Sequence, residues 1–411
     1  MKIAYYSHYV GKEFARRAGM GNRNGGSSSL KTQGMARALI KAGHKVTIYS
    51  PGITGYNKVV EAFEEIEHFP EGDLHIKYPK VSTKHRRGLF NDFRVWKLLK
   101  RDSKLIKYDV FVYYNLDHFN FLIVDAFARC RHTLKILEYE DNIFNKTNEG
   151  DKATYPYWFV RFKFNHVISR TDAAFAVCKG MLVDGEVKYK LLTPGVINDE
   201  VIGSVSHGPH TLREGEPTKL FTIGGGHYCK GPDLLVKALT YVKNPCKLIF
   251  YTDPYYFYSV ARDALKDVPE RHSVELRDLI PHDTLMNILN KEADILLNAT
   301  RSFGVAPQAA GFPSKMLEYA AMGRPIVSSE IGMLDEEFNK HITYYEKEEI
   351  QGIAKCIDEV IENYQQKNVL AIELQELVIK RYSINGTAES MKAFFKQIAE
   401  DPKFSFLPII K

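Results

Sequence analysis

The sequence predicts an α/β protein built as two parallel-sheet domains. Strand-like and helix-like segments alternate along both halves of the chain. Residues 201–217, with three glycines, two prolines and two histidines, interrupt the alternation with linker composition. At 411 residues the chain is too long for one ordinary core.

In the first half, residues 2–7 read as a strand, 28–42 as a helix closed by Gly43, and 45–50 as a strand ended by Pro51-Gly52. Strand 110–114, helix 119–130 and strand 133–138 follow, then helix 159–170 and strand 173–177. Such alternation gives a parallel sheet with helices on both faces. Ligands bind such sheets at the carboxyl ends of the strands. Beyond the break come strand 219–223, helix 231–239, strand 247–252, helix 255–265 and strand 273–276. Helix 284–291 and strand 295–297 follow, and 387–400 is an amphipathic helix. The domains are therefore 1–200 and 218–386, joined by 201–217.

Composition sets limits. Hydrophobic residues at 45% and charged residues at 26% suit a soluble globular protein. Five cysteines are scattered without C-x-x-C spacing, which suits reduced thiols in the cytoplasm. The apolar run at the N-terminus is too short for a signal peptide and makes a good first strand. No run reaches the ~18–20 apolar residues of a membrane-spanning helix. A formal charge of +6 is mild and does not argue for a nucleic-acid partner.

Several segments carry residues suited to chemistry. Ala293-Asp294-Ile295-Leu296-Leu297-Asn298 and then Gly311-Phe312-Pro313-Ser314-Lys315-Met316-Leu317-Glu318-Tyr319 read as strand, loop and short helix. Pro313 and Ser314 suit the helix start, where free N–H groups and the dipole favour an anion. Lys315 and Glu318, three positions apart, lie on neighbouring parts of one helical face. One suits a phosphate and the other sugar hydroxyls; the same segment also fits plain packing of a helix on a sheet. Thr222 to Leu235 gives a strand, a turn with Gly224, Gly225 and Gly226, then Lys230 and a new helix, the outline of a phosphate cradle.

In the first half, Gly21 to Ser29 holds Gly25 and Gly26, with Arg16, Arg17 and Arg23 nearby. Its spacing is not G-x-G-x-x-G, which weakens a nicotinamide reading. Glu138-Tyr139-Glu140-Asp141-Asn142 ends a strand; Glu140 or Asp141 would orient a hydroxyl or act as a base, unless the turn is merely solvated. No D-x-D pattern marks a metal site. Arg301 stands at a strand end, as a phosphate or sugar contact or a surface arginine. His8 reads as structural. Segment 284–291 is a helix capped by Asp283. Nine lysines and arginines in Lys84–Lys107 interleave with Leu89, Phe93, Trp96, Leu99 and Ile106 at helical spacing. That suits an anionic membrane surface, or a solvated face over a packed stripe.

These segments resemble the retaining glycosyltransferases of family 4, closest to a subgroup with the motif F-P-S-K-x-x-E-Y. The resemblance covers both domains, with its specific matches in the second. It implies the GT-B fold, an α/β architecture of two Rossmann-like parallel-sheet domains facing each other across a cleft. Thr222 to Leu235 is similar to the family's G-R-L-x-x-x-K-G-x-D-L-L, and Lys230 matches the lysine that neutralises the donor diphosphate. The family's arginine falls on Gly225, leaving Arg301 or Lys315 to supply that charge. Glu318 matches the glutamate that holds the ribose; Ala310 stands where another glutamate is usual, so the loop 302–311 would present N–H groups to the sugar. The resemblance further places Gly25 and Gly26 at the diphosphate, Arg277 and Ile280 at the nucleobase, and Glu140-Asp141 where many members have His-Asp. It also has the segment 387–411 crossing back to the first domain.

The expectation is thus a metal-independent hexosyltransferase that moves a sugar from a nucleotide diphosphate-sugar to a hydroxyl of a glycan or lipid-linked acceptor. The setting would be cell-surface polysaccharide synthesis, in the cytoplasm or at the inner face of the membrane. Lys230, Glu318, Glu140 and Asp141 would carry catalysis. The nucleotide-sugar is a substrate, and no cofactor is expected. The alternatives are a GT-B nucleotide-sugar epimerase and an inactive nucleotide-sugar-binding protein, for which Ala310 and Gly225 speak.

Overall fold

A computed structural model describes residues 1–20, 26–53, 56–84, 89–115, 132–142, 157–181, 187–205, 208–224, 226–301, 311–330, 332, 334–346 and 349–408. The expected helix 119–130, Gly25, Gly225, Ala310, Arg23, Arg86 and Arg87 lie outside them.

The first half contributes β1 (Lys2–Tyr6), β2 (Lys45–Tyr49), β3 (Val59–Val60), β4 (Phe63–Phe69), β5 (Gly72–Tyr78), β6 (Val81–Ser82), β7 (Val110–Tyr114), β8 (Leu134–Tyr139), β9 (Ala173–Ala176) and β10 (Tyr189–Leu192). Eight of these form one sheet in the order β10-β9-β8-β7-β1-β2-β5-β4, while β3 and β6 pair separately. All its pairs are parallel except β4 with β5. Continuous apolar runs explain the central strands: Val-Phe-Val-Tyr-Tyr of β7 is buried throughout, as a strand covered on both faces must be.

Tyrosines fill much of this core, and their hydroxyls find partners. Tyr6 donates to Asp92 at 2.7 Å, Tyr9 to Glu67 at 2.6 Å and Tyr49 to Asp102 at 3.0 Å. On one face, Met35 and Leu39 of helix Ser27–Lys41 share a core with Phe394 and Phe395 of helix Ile384–Ala399. Val95 and Leu99 of helix Leu89–Asp102 and Phe164 and Val167 of helix Tyr157–Ile168 belong to the other core.

The second half contributes β11 (Thr218–Ile223), β12 (Cys246–Tyr251), β13 (Ser273–Arg277), β14 (Ile295–Asn298), β15 (Ile326–Ser329) and β16 (Thr343–Tyr345). Their order is β13-β12-β11-β14-β15-β16, with every pair parallel. The strand order reverses between β11 and β14, so the loops after these two parallel strands flank a ligand-binding switch point. In the first sheet the reversal falls between β1 and β7.

Two crossings join the halves side by side. Ile197 N–H donates to Tyr382 O at 2.7 Å, and Ile197 bridges Ser383. Helix Tyr364–Tyr382 packs on helix Lys315–Ala321; Ile384–Ala399 then returns onto Ser27–Lys41.

Local differences from the sequence reading have local causes. Arg16 and Arg17 are not loop cations: they lie on helix Lys12–Ala18, where Glu13 takes both at 2.7 and 2.6 Å. Helix Asp199–Ser204 enters the expected linker, because Val201 is buried in the core that the halves share. Helix His282–Glu292 starts one residue before Asp283, at a Pro281 cap without a side-chain bond. No described helix is long and apolar enough to cross a membrane.

Candidate active site

A cleft with about 520 Å³ of empty space, open to solvent, lies where the two sheets meet. Leu30 and Lys31 line it from the first half, and His282, Ser314, Leu317 and Glu318 from the second.

Next to the cleft, the second half carries the turn after β11. Gly226 is pressed against helix Pro254–Ala261, where a Cβ would come 2.6 Å from Phe257 N. Gly231 has φ +63, and a Cβ there would stand 2.2 Å from Ala299 O. The turn thus docks on the loop after β14, and Arg301 N–H donates to Cys229 O at 2.9 Å. Lys230 ends this turn exposed.

Lys315 opens the next helix, after Pro313 and Ser314. Met316 N–H donates to Pro313 O at 2.8 Å, and Tyr319 accepts from Ile223 N–H at 2.9 Å, tying the helix to the end of β11. The Lys315 Nζ donates to Ile223 O at 3.4 Å. Burial first, and then the like charge of Lys230, push its ammonium down to about 7. Among the described residues neither lysine forms an ion pair with a carboxylate. Farther along this helix, Glu318 Oε1 accepts from His282 Nε2 at 2.8 Å.

Arg301 and Arg277 are committed elsewhere. The Arg301 guanidinium is 2% exposed, donates to both Asp233 oxygens at 3.0 Å and to Tyr228 O at 2.6 Å, and stacks on the Tyr228 ring. It braces the turn. Arg277 donates to Glu275, Tyr251 and Glu292 at 2.5, 2.9 and 3.0 Å, tying the end of β13 to the following helix. Ile280 is partly buried against the core.

Beside the cleft, carboxylates gather at the carboxyl ends of β7 and β8 in the first half. Asn115, at φ +52 after β7, organises it. Its side chain accepts from Glu140 and Asp141 N–H at 2.8 and 2.9 Å and donates to Asp141 Oδ2 at 2.9 Å. Tyr114 donates to Glu140, and Tyr5 donates to Glu138. Lys31, with its side chain 3% exposed, stands 3.7 Å from both Glu138 and Glu140. Burial raises the Glu138 carboxyl above its ordinary value, against the opposing charge of Lys31. The halves approach each other at Gly311, where a Cβ would lie 3.2 Å from Glu140 O. Gly26, the cap of helix Ser27–Lys41, has φ +77 and open space where its side chain would be. No three or more His, Cys, Asp or Glu among the described residues are placed to hold a metal ion.

Lys31, Asn115 and His282 escaped the sequence reading. Lys31 had a signal: it precedes Met35, Ala38 and Leu39 on one helical stripe, and a lysine on an apolar stripe implies a buried partner. Asn115 ends an apolar strand, the position of a switch-point residue. His282 had no distinguishing signal.

The two facing parallel sheets with a cleft at their switch points define the class: the chain has the GT-B fold. Residues 217–363 match the family model described as Glycosyl transferases group 1. Similar solved structures include sucrose-phosphate synthase from Thermosynechococcus elongatus, with a TM-score of 0.68 at 13% identity over 97% of this chain and 99% of that one. A glycosyltransferase from Rickettsia africae gives 0.63 at 16% identity, over 97% and 99%. Anabaena HepE, solved in complex with UDP and glucose, gives 0.60 at 11% identity, over 97% and 100%. No curated protein matches the chain by sequence.

Proposed function

We propose that the protein is a retaining family 4 glycosyltransferase, moving a hexosyl group from a nucleotide diphosphate-sugar to a hydroxyl of a glycan or lipid-linked acceptor. One observation carries the reading: among the described residues no carboxylate stands within ion-pair distance of Lys230 or Lys315 at the switch point, and Lys315 is driven toward neutrality by burial and by the charge of Lys230. A diphosphate supplies the missing counter-charge. HepE, with UDP and glucose bound in the same fold, supports a nucleotide-sugar ligand.

In the reaction, the bond from the sugar C1 to the diphosphate oxygen breaks while the acceptor oxygen bonds to C1 from the same face. Charge grows on the departing diphosphate, where Lys230 and Lys315 stabilise it. Glu318 accepts hydrogen bonds from the ribose. Glu140, with Asp141 beside it, orients the acceptor hydroxyl, whose proton goes to the leaving oxygen or to the carboxylate. The lysines neutralise the diphosphate, so transfer is expected to survive chelation by EDTA.

We place the enzyme in cell-surface polysaccharide synthesis at the cytoplasmic face of the membrane. Supporting this, helix Leu89–Asp102 exposes Phe90 and Phe93, with Lys97 Nζ 4.7 Å above the Phe93 ring and Lys100 Nζ 5.0 Å above Trp96. Binding to vesicles with anionic lipid, weakened by F90S and F93S, is the expected result; no binding by the wild type removes the membrane role.

A panel of UDP-, GDP- and ADP-sugars tests the main reading. One donor should raise the melting temperature and release its nucleoside diphosphate when an acceptor is present. Conversion of the donor alone into an epimeric sugar would replace transfer by epimerisation; binding with no turnover on any acceptor would leave a binding protein.

A further inference from the structure

We propose that His282 is a positioning residue that fixes Glu318 for the nucleotide ribose and thereby sets discrimination between ribo- and deoxyribonucleotides. The inference rests on the reading of Glu318 as the ribose-binding carboxylate.

The two side chains come from different strand ends. His282 follows β13, and Glu318 lies on the helix after β14. Their backbones are separately anchored. Leu285 N–H donates to Pro281 O at 3.0 Å, closing the first turn after His282, and Leu285, Met286 and Leu289 are buried beneath it. Leu317 and Tyr319 are buried on either side of Glu318, and Tyr319 is tied to Ile223. The side chains themselves remain 34% and 27% exposed and line the cleft together with Ser314 and Leu317. The 2.8 Å contact between His282 Nε2 and Glu318 Oε1 therefore spans two firmly held backbones at the point where a ligand would arrive.

A partly exposed glutamate has several rotamers, and a ligand must select one at an entropic cost. Held by His282, the carboxylate has lost that freedom before the ligand arrives. A carboxylate has two oxygens and about four acceptor sites. The imidazole N–H occupies one site on Oε1 and leaves Oε2 whole for a vicinal diol. A deoxyribose offers one hydroxyl to that oxygen, and a ribose offers two. Rigid placement rewards the second hydroxyl; a wandering carboxylate rewards it less.

The test is titration calorimetry with UDP, GDP and ADP and their 2′-deoxy forms, on wild type, H282A, H282Q and E318A. Wild type should prefer the ribo form of one nucleotide. H282A should weaken that ribonucleotide about 10-fold, roughly one lost hydrogen bond, and its deoxy form far less. H282Q, whose amide donates in place of Nε2–H, should keep most of the preference, and E318A should lose it. If wild type binds a nucleotide with preference and H282A leaves the ratio unchanged, or lowers both forms equally, the positioning role is overturned while the donor reading stands. If wild type binds none of the nucleotides, the donor reading falls and takes this inference with it.

Discussion

The two halves of the molecule, next to the cleft, hold opposite charges in opposite ways. In the second half, Lys230 and Lys315 stand close together with no acidic partner among the described residues, and Lys315 is pushed toward neutrality. In the first half, each carboxylate is tied: Glu138 to Tyr5 and Lys31, Glu140 to Tyr114 and Lys31, Asp141 to Asn115. On the proposed function, the contrast separates two tasks. A surface that takes up a highly charged group must keep its counter-charge open, at a cost in stability. A surface that aligns a neutral hydroxyl needs carboxylates that do not move. Arg301 shows the converse within the second half, since its full pairing with Asp233 makes it a brace.

The sharpest way to break the contrast is to remove the open cations. K230A and K315A are each expected to lower transfer by about 10²–10³-fold, as loss of one leaving-group contact does, with an unchanged circular dichroism spectrum. The melting temperature of K315A should equal or exceed that of wild type at neutral pH, because a repelled buried charge is gone. Turnover at the wild-type rate in both variants would collapse the distinction between the halves.

Next in size is the brace. D233A removes the bidentate carboxylate from the buried Arg301 guanidinium, which should cost about 3–5 kcal/mol in urea unfolding. A shift near zero would mean that Arg301 can turn to the cleft and serve as a third cation. In the first half, E140Q should slow transfer about 10–100-fold while nucleotide affinity stays within about twofold. Equal losses in both would place Glu140 at the donor.

The smallest effect is in pH. Lys315 titrates near 7 in the folded protein and at the ordinary 10.5 when unfolded. Between those values the unfolded chain holds a proton that the native chain lacks, so this group makes stability rise with pH across that window. A bound diphosphate restores the proton. Binding above pH 7 should therefore take up a proton, and affinity should fall as pH rises. Calorimetry in two buffers of different ionisation enthalpy measures the uptake, which K315A should abolish.

Much of this was legible in the chain. The strand–helix alternation follows from hydrophobic period and from glycine and proline, which act within a few residues. The placement of Lys230, Lys315 and Glu318 beyond strand ends was legible because strand-to-helix turns put such residues there whatever the partner sheet does. Hairpin β4–β5 and helix Lys12–Ala18 were not foreseen; Phe63-Glu64-Glu65-Ile66-Glu67 lacks strict alternation, and the helix is only seven residues long.

The sequence by itself determined the kind of elements, the two-part layout and the residues at each strand end, because these depend on local spacing. Tertiary structure alone decided which charges stayed open. Asp233 and Arg301 are 68 residues apart and His282 and Glu318 are 36 apart, while Lys31 meets Glu138 across the first domain. A charge is a brace or a ligand site according to whether the fold brings a counter-charge within a few ångströms, and no local spacing contains that distance.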